Sequence, residues 1–68
     1  MKTAENQEFL IVDTENDNRP FVRVVVFIKN ENTYERYSIE DIKDNLYSPF
    51  KNDWRKRVAE LCKEKGII

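Results

Sequence analysis

The run Phe21-Val22-Arg23-Val24-Val25-Val26-Phe27-Ile28-Lys29 is the one long β-branched stretch in the chain. Val and Ile are stiff about χ1 and pack well on a pleated surface, so the run is predicted to be a strand. Strand side chains alternate between two faces. Val22, Val24, Val26 and Ile28 therefore share one wholly apolar face, suited to a core. Phe21, Arg23, Val25, Phe27 and Lys29 share the other, where two rings and a valine stand between two cations. A face meant only for water does not collect such residues. Three covers suit it: a partner protein or second copy of the chain, the chain's own helices, or nucleic-acid bases.

The other segments arrange themselves around this strand. Residues 1–7 are polar and are expected to fray. Phe9-Leu10-Ile11-Val12 is read as a first strand, although four apolar residues also suit a piece of helix. Asp13 to Pro20 is rich in Asp and Asn, which bond to nearby backbone and favour turns. Asn30-Glu31-Asn32 is a hairpin turn, because Asn tolerates positive φ, and Thr33 to Tyr37 follows as a third strand. The sheet is thus expected to be a three-stranded antiparallel meander with the Phe21–Lys29 strand in the middle.

Two helices are predicted after the sheet. Ser38 is an N-cap, Glu40 and Asp41 meet the positive end of the dipole, and Ile39, Ile42 and Leu46 form one apolar stripe. Tyr47 and Ser48-Pro49 break that helix. Ser48 as a cap with Pro49 at the first helical position signals a second helix, from Pro49 or Phe50 to Lys65. Its stripe is Phe50, Trp54, Val58, Leu61 and Cys62, and Trp54, Val58 and Leu61 should anchor it on the Val22/Val24/Val26/Ile28 face. Gly66 stands where a left-handed C-cap is needed, with Ile67 placed to close on Cys62. The fold class is α+β, in one small domain over residues 1–68.

Chain length and charge narrow the function. A 68-residue domain buries only about 60% of the surface its unfolded chain exposes, so a staple is expected. With one Cys and no His, neither an intrachain disulfide nor a Cys/His zinc site can be built. A second subunit is the remaining staple. Lys+Arg 12 against Asp+Glu 13 leaves a net charge of -1, which favours neither a DNA mimic nor a dedicated duplex binder. No stretch reaches the length of a membrane span, and the N-terminal residues lack an apolar signal core, so a soluble, cytoplasmic protein is expected.

Candidate sites divide into surfaces and chemistry. The mixed sheet face offers Phe21, Arg23, Val25 and Phe27, with Arg36 and Tyr34 or Tyr37 beside them. Rings among cations suit a protein interface core, and also single-stranded nucleic acid. Lys51, Arg55 and Lys56 make a basic patch on the last helix, with Lys63 two turns beyond Lys56 and Arg57 offset by Asp53 and Glu60; cations early in a helix oppose its dipole. A solvated face with Lys and Arg stems over apolar surface is the plainer reading of that patch. Asp13, Glu15 and Asp17 alternate like the opening of a calcium loop, but Asn18 stands where Gly is required and Val24 where the bidentate Glu belongs. They are read as a solvated acidic turn. Cys62 lies on the apolar stripe near a helix C-terminus, where nothing activates a thiol. Glu40, Asp41 and Asp44 fit helix capping as well as chemistry, and the single Gly rules out a Gly-rich phosphate loop.

The sequence therefore leads to a non-enzymatic interaction module without cofactor, metal or small-molecule substrate. It is expected to bind itself as a homodimer, and another protein, through the sheet face or basic helix. Small regulators, inhibitors and accessory proteins, phage and mobile-element products among them, are chains of this kind. Nucleic-acid binding through Arg23, Phe27, Arg36, Arg55 and Lys56 is the alternative.

Overall fold

The central run forms a strand only where neighbours exist to pair with it. In the computed structural model, which describes residues 1–49 and 53–68, that strand is Val24–Ile28. Its two neighbours are Phe9–Asp13 and Thr33–Tyr37, each five residues long, and Val24 lies opposite both Asp13 and Tyr37. Beyond that rung the run leaves the sheet. Pro20–Val22 is a 3-10 turn, closed by the Val22 N–H donating to the Arg19 carbonyl at 3.1 Å, and Arg23 is helical at φ -63, ψ -39. Proline's fixed φ suits that turn as well as a strand start. The expected strand thus loses its first three residues, and Phe21 and Val22 leave the two faces assigned to them.

The sheet has four strands, not three, in the order of the chain and antiparallel throughout. They are β1 (Lys2–Glu5), β2 (Phe9–Asp13), β3 (Val24–Ile28) and β4 (Thr33–Tyr37). The N-terminal residues expected to fray form edge strand β1 instead. Asn6 makes this possible: its Oδ1 accepts from the N–H groups of Glu8 at 2.8 Å and Phe9 at 2.7 Å, folding a tight reversal. Ala4 then pairs with Ile11 and is buried, while Lys2 donates to the Gly66 carbonyl at 3.3 Å. A strand whose one apolar residue is Ala4 shows no period of its own, and its stability comes from the ladder it joins. The β3–β4 turn runs through Asn32, which takes φ 53 as its residue type allows.

Both helices pack on one side of this sheet. The first, α1 (Ile39–Leu46), begins as its sequence predicts, with Ser38 Oγ accepting from the Asp41 N–H at 3.1 Å. The second, α2 (Trp54–Glu64), starts later than expected. Asp53 is its cap, extended at φ -71, ψ 122, with Oδ1 accepting from the Arg55 N–H at 3.0 Å. Ser48 is still closing α1, its N–H donating to the Asn45 carbonyl at 3.2 Å, and Pro49 is not helical. Proline at a first helical position permits a helix without starting one, and a carboxylate cap is favoured by the dipole. Phe50, expected on the apolar stripe, lies outside the described residues.

The core fills the space between sheet and helices. Phe9, Ile11, Val24 and Val26 point into it from the sheet, Ile42 from α1, and Val58, Ala59, Leu61 and Cys62 from α2. Trp54 lies against Phe9 with ring centroids 6.2 Å apart. Helix α2 rests on β1 and β2, and α1 on β4 and α2. The end of α2 is a Schellman cap. The Ile67 N–H donates to the Cys62 carbonyl at 2.8 Å and the Gly66 N–H to the Lys63 carbonyl at 3.3 Å, with Gly66 at φ 79. A Cβ on Gly66 would meet nothing within 4 Å. Its requirement is therefore conformational, and Gly66→Ala should cost about 1 kcal/mol, measured by urea unfolding, with the fold unchanged.

Candidate interaction surface

The pairing register decides which side chains face away from the helices. Two rows of four result. One row is Thr3, Val12, Val25 and Arg36; the other is Glu5, Leu10, Phe27 and Tyr34. Leu10, Val12 and Val25 are half-buried by their sheet neighbours, while Phe27 and Tyr34 keep 41% and 53% of their surface exposed. The Phe27 and Tyr34 rings pack on each other at 5.7 Å, and the Arg36 guanidinium lies 5.6 Å from the Tyr34 ring centroid. A shallow depression of ≈ 360 Å³ opens beside Leu10, Phe27 and Tyr34, with Lys29 and Asn32 on its rim. The described helices lie on the opposite side, so neither covers this face.

Of the residues the sequence singles out, Val25, Phe27 and Arg36 stand on this face together. Phe21 does not: it sits in the 3-10 turn, 82% exposed. Arg23 does not either. Its Nε donates to Asp13 Oδ1 at 3.0 Å and its other nitrogens reach Asp13 Oδ2 and Asp17 Oδ1 at 3.4 Å. Lys29 stays at the rim of the face, its Nζ donating to Glu5 Oε2 at 2.5 Å and to the Asn6 carbonyl at 2.9 Å. Leu10 and Val12 are the members that sequence reading missed. Their signal was present in Phe9-Leu10-Ile11-Val12, since a strand apolar at every position has two faces to cover.

The basic patch of the second helix is on the other side of the molecule and is occupied by local contacts. Arg55 lies over the Trp54 ring at 4.9 Å, reaches Asp53 at 4.0 Å and meets the Tyr37 hydroxyl. Lys56 Nζ donates to the Ser48 carbonyl at 3.2 Å. Arg57 pairs with Glu8, 3.1 Å away in the β1–β2 turn. Lys51 lies outside the described residues. Tyr37 points inward from β4; burial and its hydrogen bond to Glu35 push its hydroxyl up to about 12. Burial likewise raises the Cys62 thiol to about 12, which leaves it protonated and unreactive.

The acidic turn is not uniformly solvated. Asp17 is open to water, but Asp13 ends β2 facing inward and is 1% exposed. Burial opposes its ionisation, yet the Arg23 hydrogen bond, the Glu15 N–H at 2.9 Å and the Arg23 charge outweigh it, and its carboxyl is held below the ordinary carboxylate value. Among the described residues no three His, Cys, Asp or Glu side chains converge as a metal would require. No described helix is long and apolar enough to cross a membrane.

Comparison with protein-family models, curated proteins and solved structures gives no match. The surface must therefore be interpreted from its own chemistry.

The Asp13–Arg23 pair has a pH signature. Asp13 binds its proton less readily in the folded chain than in the unfolded one. The pair's stabilisation is thus whole above the unfolded value and is lost as pH falls through the lower folded one. Asp13→Asn should cost about 1–3 kcal/mol at pH 7. It should also flatten the decline in stability between about pH 5 and pH 3, read from urea melts of both proteins across that range.

Proposed function

We propose that this chain is a small non-enzymatic interaction module that works as a homodimer joined through the outer face of its sheet. One observation carries the reading: Leu10, Val12, Val25, Phe27 and Tyr34 form a continuous apolar rectangle on the side away from both helices. A domain of 68 residues gains proportionally more from covering such a face than a larger one would. Aromatic side chains with an Arg at the margin are also the composition of interface centres.

The charge pattern favours protein over nucleic acid as the occupant. Stacked bases need rings with cations close by to meet the phosphates. Here Arg23 and Lys29 are held by carboxylates, Arg55 and Lys56 belong to the opposite side, and Phe27 and Tyr34 pack on each other. Arg36 is the one cation within the two rows of the face.

The test is solution mass. Sedimentation equilibrium should show 8.2 kDa at low concentration and twice that mass as concentration rises into the micromolar range. Phe27→Asp should hold the mass at the monomer value while circular dichroism stays unchanged. A wild-type mass that remains 8.2 kDa at the highest concentrations would refute the proposal.

A further inference from the structure

The outer face carries its formal charges at its margins: Glu5 on β1, bridged to Lys29 just beyond β3, and Arg36 on β4. Between them lie Leu10 and Val12 on β2, and Val25 and Phe27 on β3. Two identical sheets can stack on such a face about a two-fold axis in either of two principal directions. An axis across the strands lays each strand over its own copy. Glu5 then becomes a diagonal neighbour of Glu5 of the second copy on one stacked strand pair, and Arg36 of Arg36 on another. An axis along the strands lays β1 over β4 and β2 over β3. Leu10 then meets Phe27, Val12 meets Val25, Glu5 meets Tyr34 and Thr3 meets Arg36, so Glu5 and Arg36 become diagonal neighbours on one stacked strand pair, twice.

We infer that the dimer is built about the second axis, with β1 of each copy lying over β4 of its partner and Glu5 reaching diagonally to Arg36, reciprocally. This arrangement rests on the proposed sheet-face dimer and specifies it. The stacking keeps the two sets of strands near alignment, the common geometry for packed sheets. It also sets ring against leucine at the centre and places the charges at the rim, where side chains keep contact with water.

Magnitudes support giving charge the deciding vote. Strands about 4.8 Å apart, with residues rising about 3.4 Å, confine a four-stranded face of this length to a few hundred Å² per copy. That lies at the low end for specific dimers, so apolar contact alone discriminates poorly between the two stackings. Juxtaposed like charges count against one stacking and opposite charges favour the other. Glu5 already touches Lys29, but its side chain is 59% exposed and a carboxylate can accept several donors.

Charge reversal separates the stackings. Glu5→Lys and Arg36→Glu should each weaken dimerisation about three- to tenfold, because each sets like charges together at two places. An equal mixture of the two single variants should recover wild-type affinity as a heterodimer, and the double variant should recover it as a homodimer. Sedimentation equilibrium at low salt reads all four, with circular dichroism checking that each chain is folded. Should both single variants dimerise as the wild type does while Phe27→Asp remains monomeric, the arrangement is overturned and the sheet-face dimer stands. If Phe27→Asp leaves the mass unchanged, the dimer itself is wrong and the arrangement falls with it.

Discussion

The pairing of Phe9–Asp13 with Val24–Ile28 sets the side of every residue in the sheet. Phe9, Ile11, Val24 and Val26 go to the helices because their rungs align, and a slip of one residue between the two strands would turn one strand's pair outward. Each such side chain, fully buried, contributes roughly 1.5–3 kcal/mol. The same register places Leu10, Val12, Val25 and Phe27 on the reverse side. The open apolar face is thus the other half of the choice that makes the core, and neither can be altered alone.

The sheet ends where polar chemistry takes over. At the Asp13–Val24 rung, the Asp13 side chain points into the molecule and is met by Arg23, whose own backbone has already turned helical. A lone carboxylate buried there would be costly. The guanidinium, the Glu15 N–H and the remaining access to water through Arg23 make it tolerable. One cation is thereby withdrawn from the outer face, and Phe21 is left on the turn beyond it. A face that looked mixed in the sequence is in consequence mostly apolar, which moves the balance from phosphate recognition towards protein contact.

The helices show a comparable division between local and global control. Ser38 and Gly66 act through bonds to residues within five positions, so their roles were visible as sequence signals. The start of α2 was not. Ser48-Pro49 reads as its start, but Ser48 remains bonded to the end of α1 and Asp53 is the cap. Likewise, Arg57 was assigned by helical spacing to Asp53 and Glu60, yet it reaches Glu8 from across the fold. Spacing along one helix cannot show what another element brings alongside.

By itself the sequence determined an α+β chain, a central β-branched strand, the cap of α1, the glycine turn after α2 and an apolar surplus centred on Val25 and Phe27. Each follows from periodicity or from bonds between near neighbours. Only the tertiary structure decided that Lys2–Glu5 is a strand, that Asp13 is buried, that Arg23 and Phe21 leave the sheet face, and that Leu10 and Val12 join it. Those outcomes depend on which distant segments lie side by side. An edge strand such as β1 exists because a neighbour offers it hydrogen bonds, and a charge such as that of Asp13 enters the interior because a partner ten residues away arrives with it.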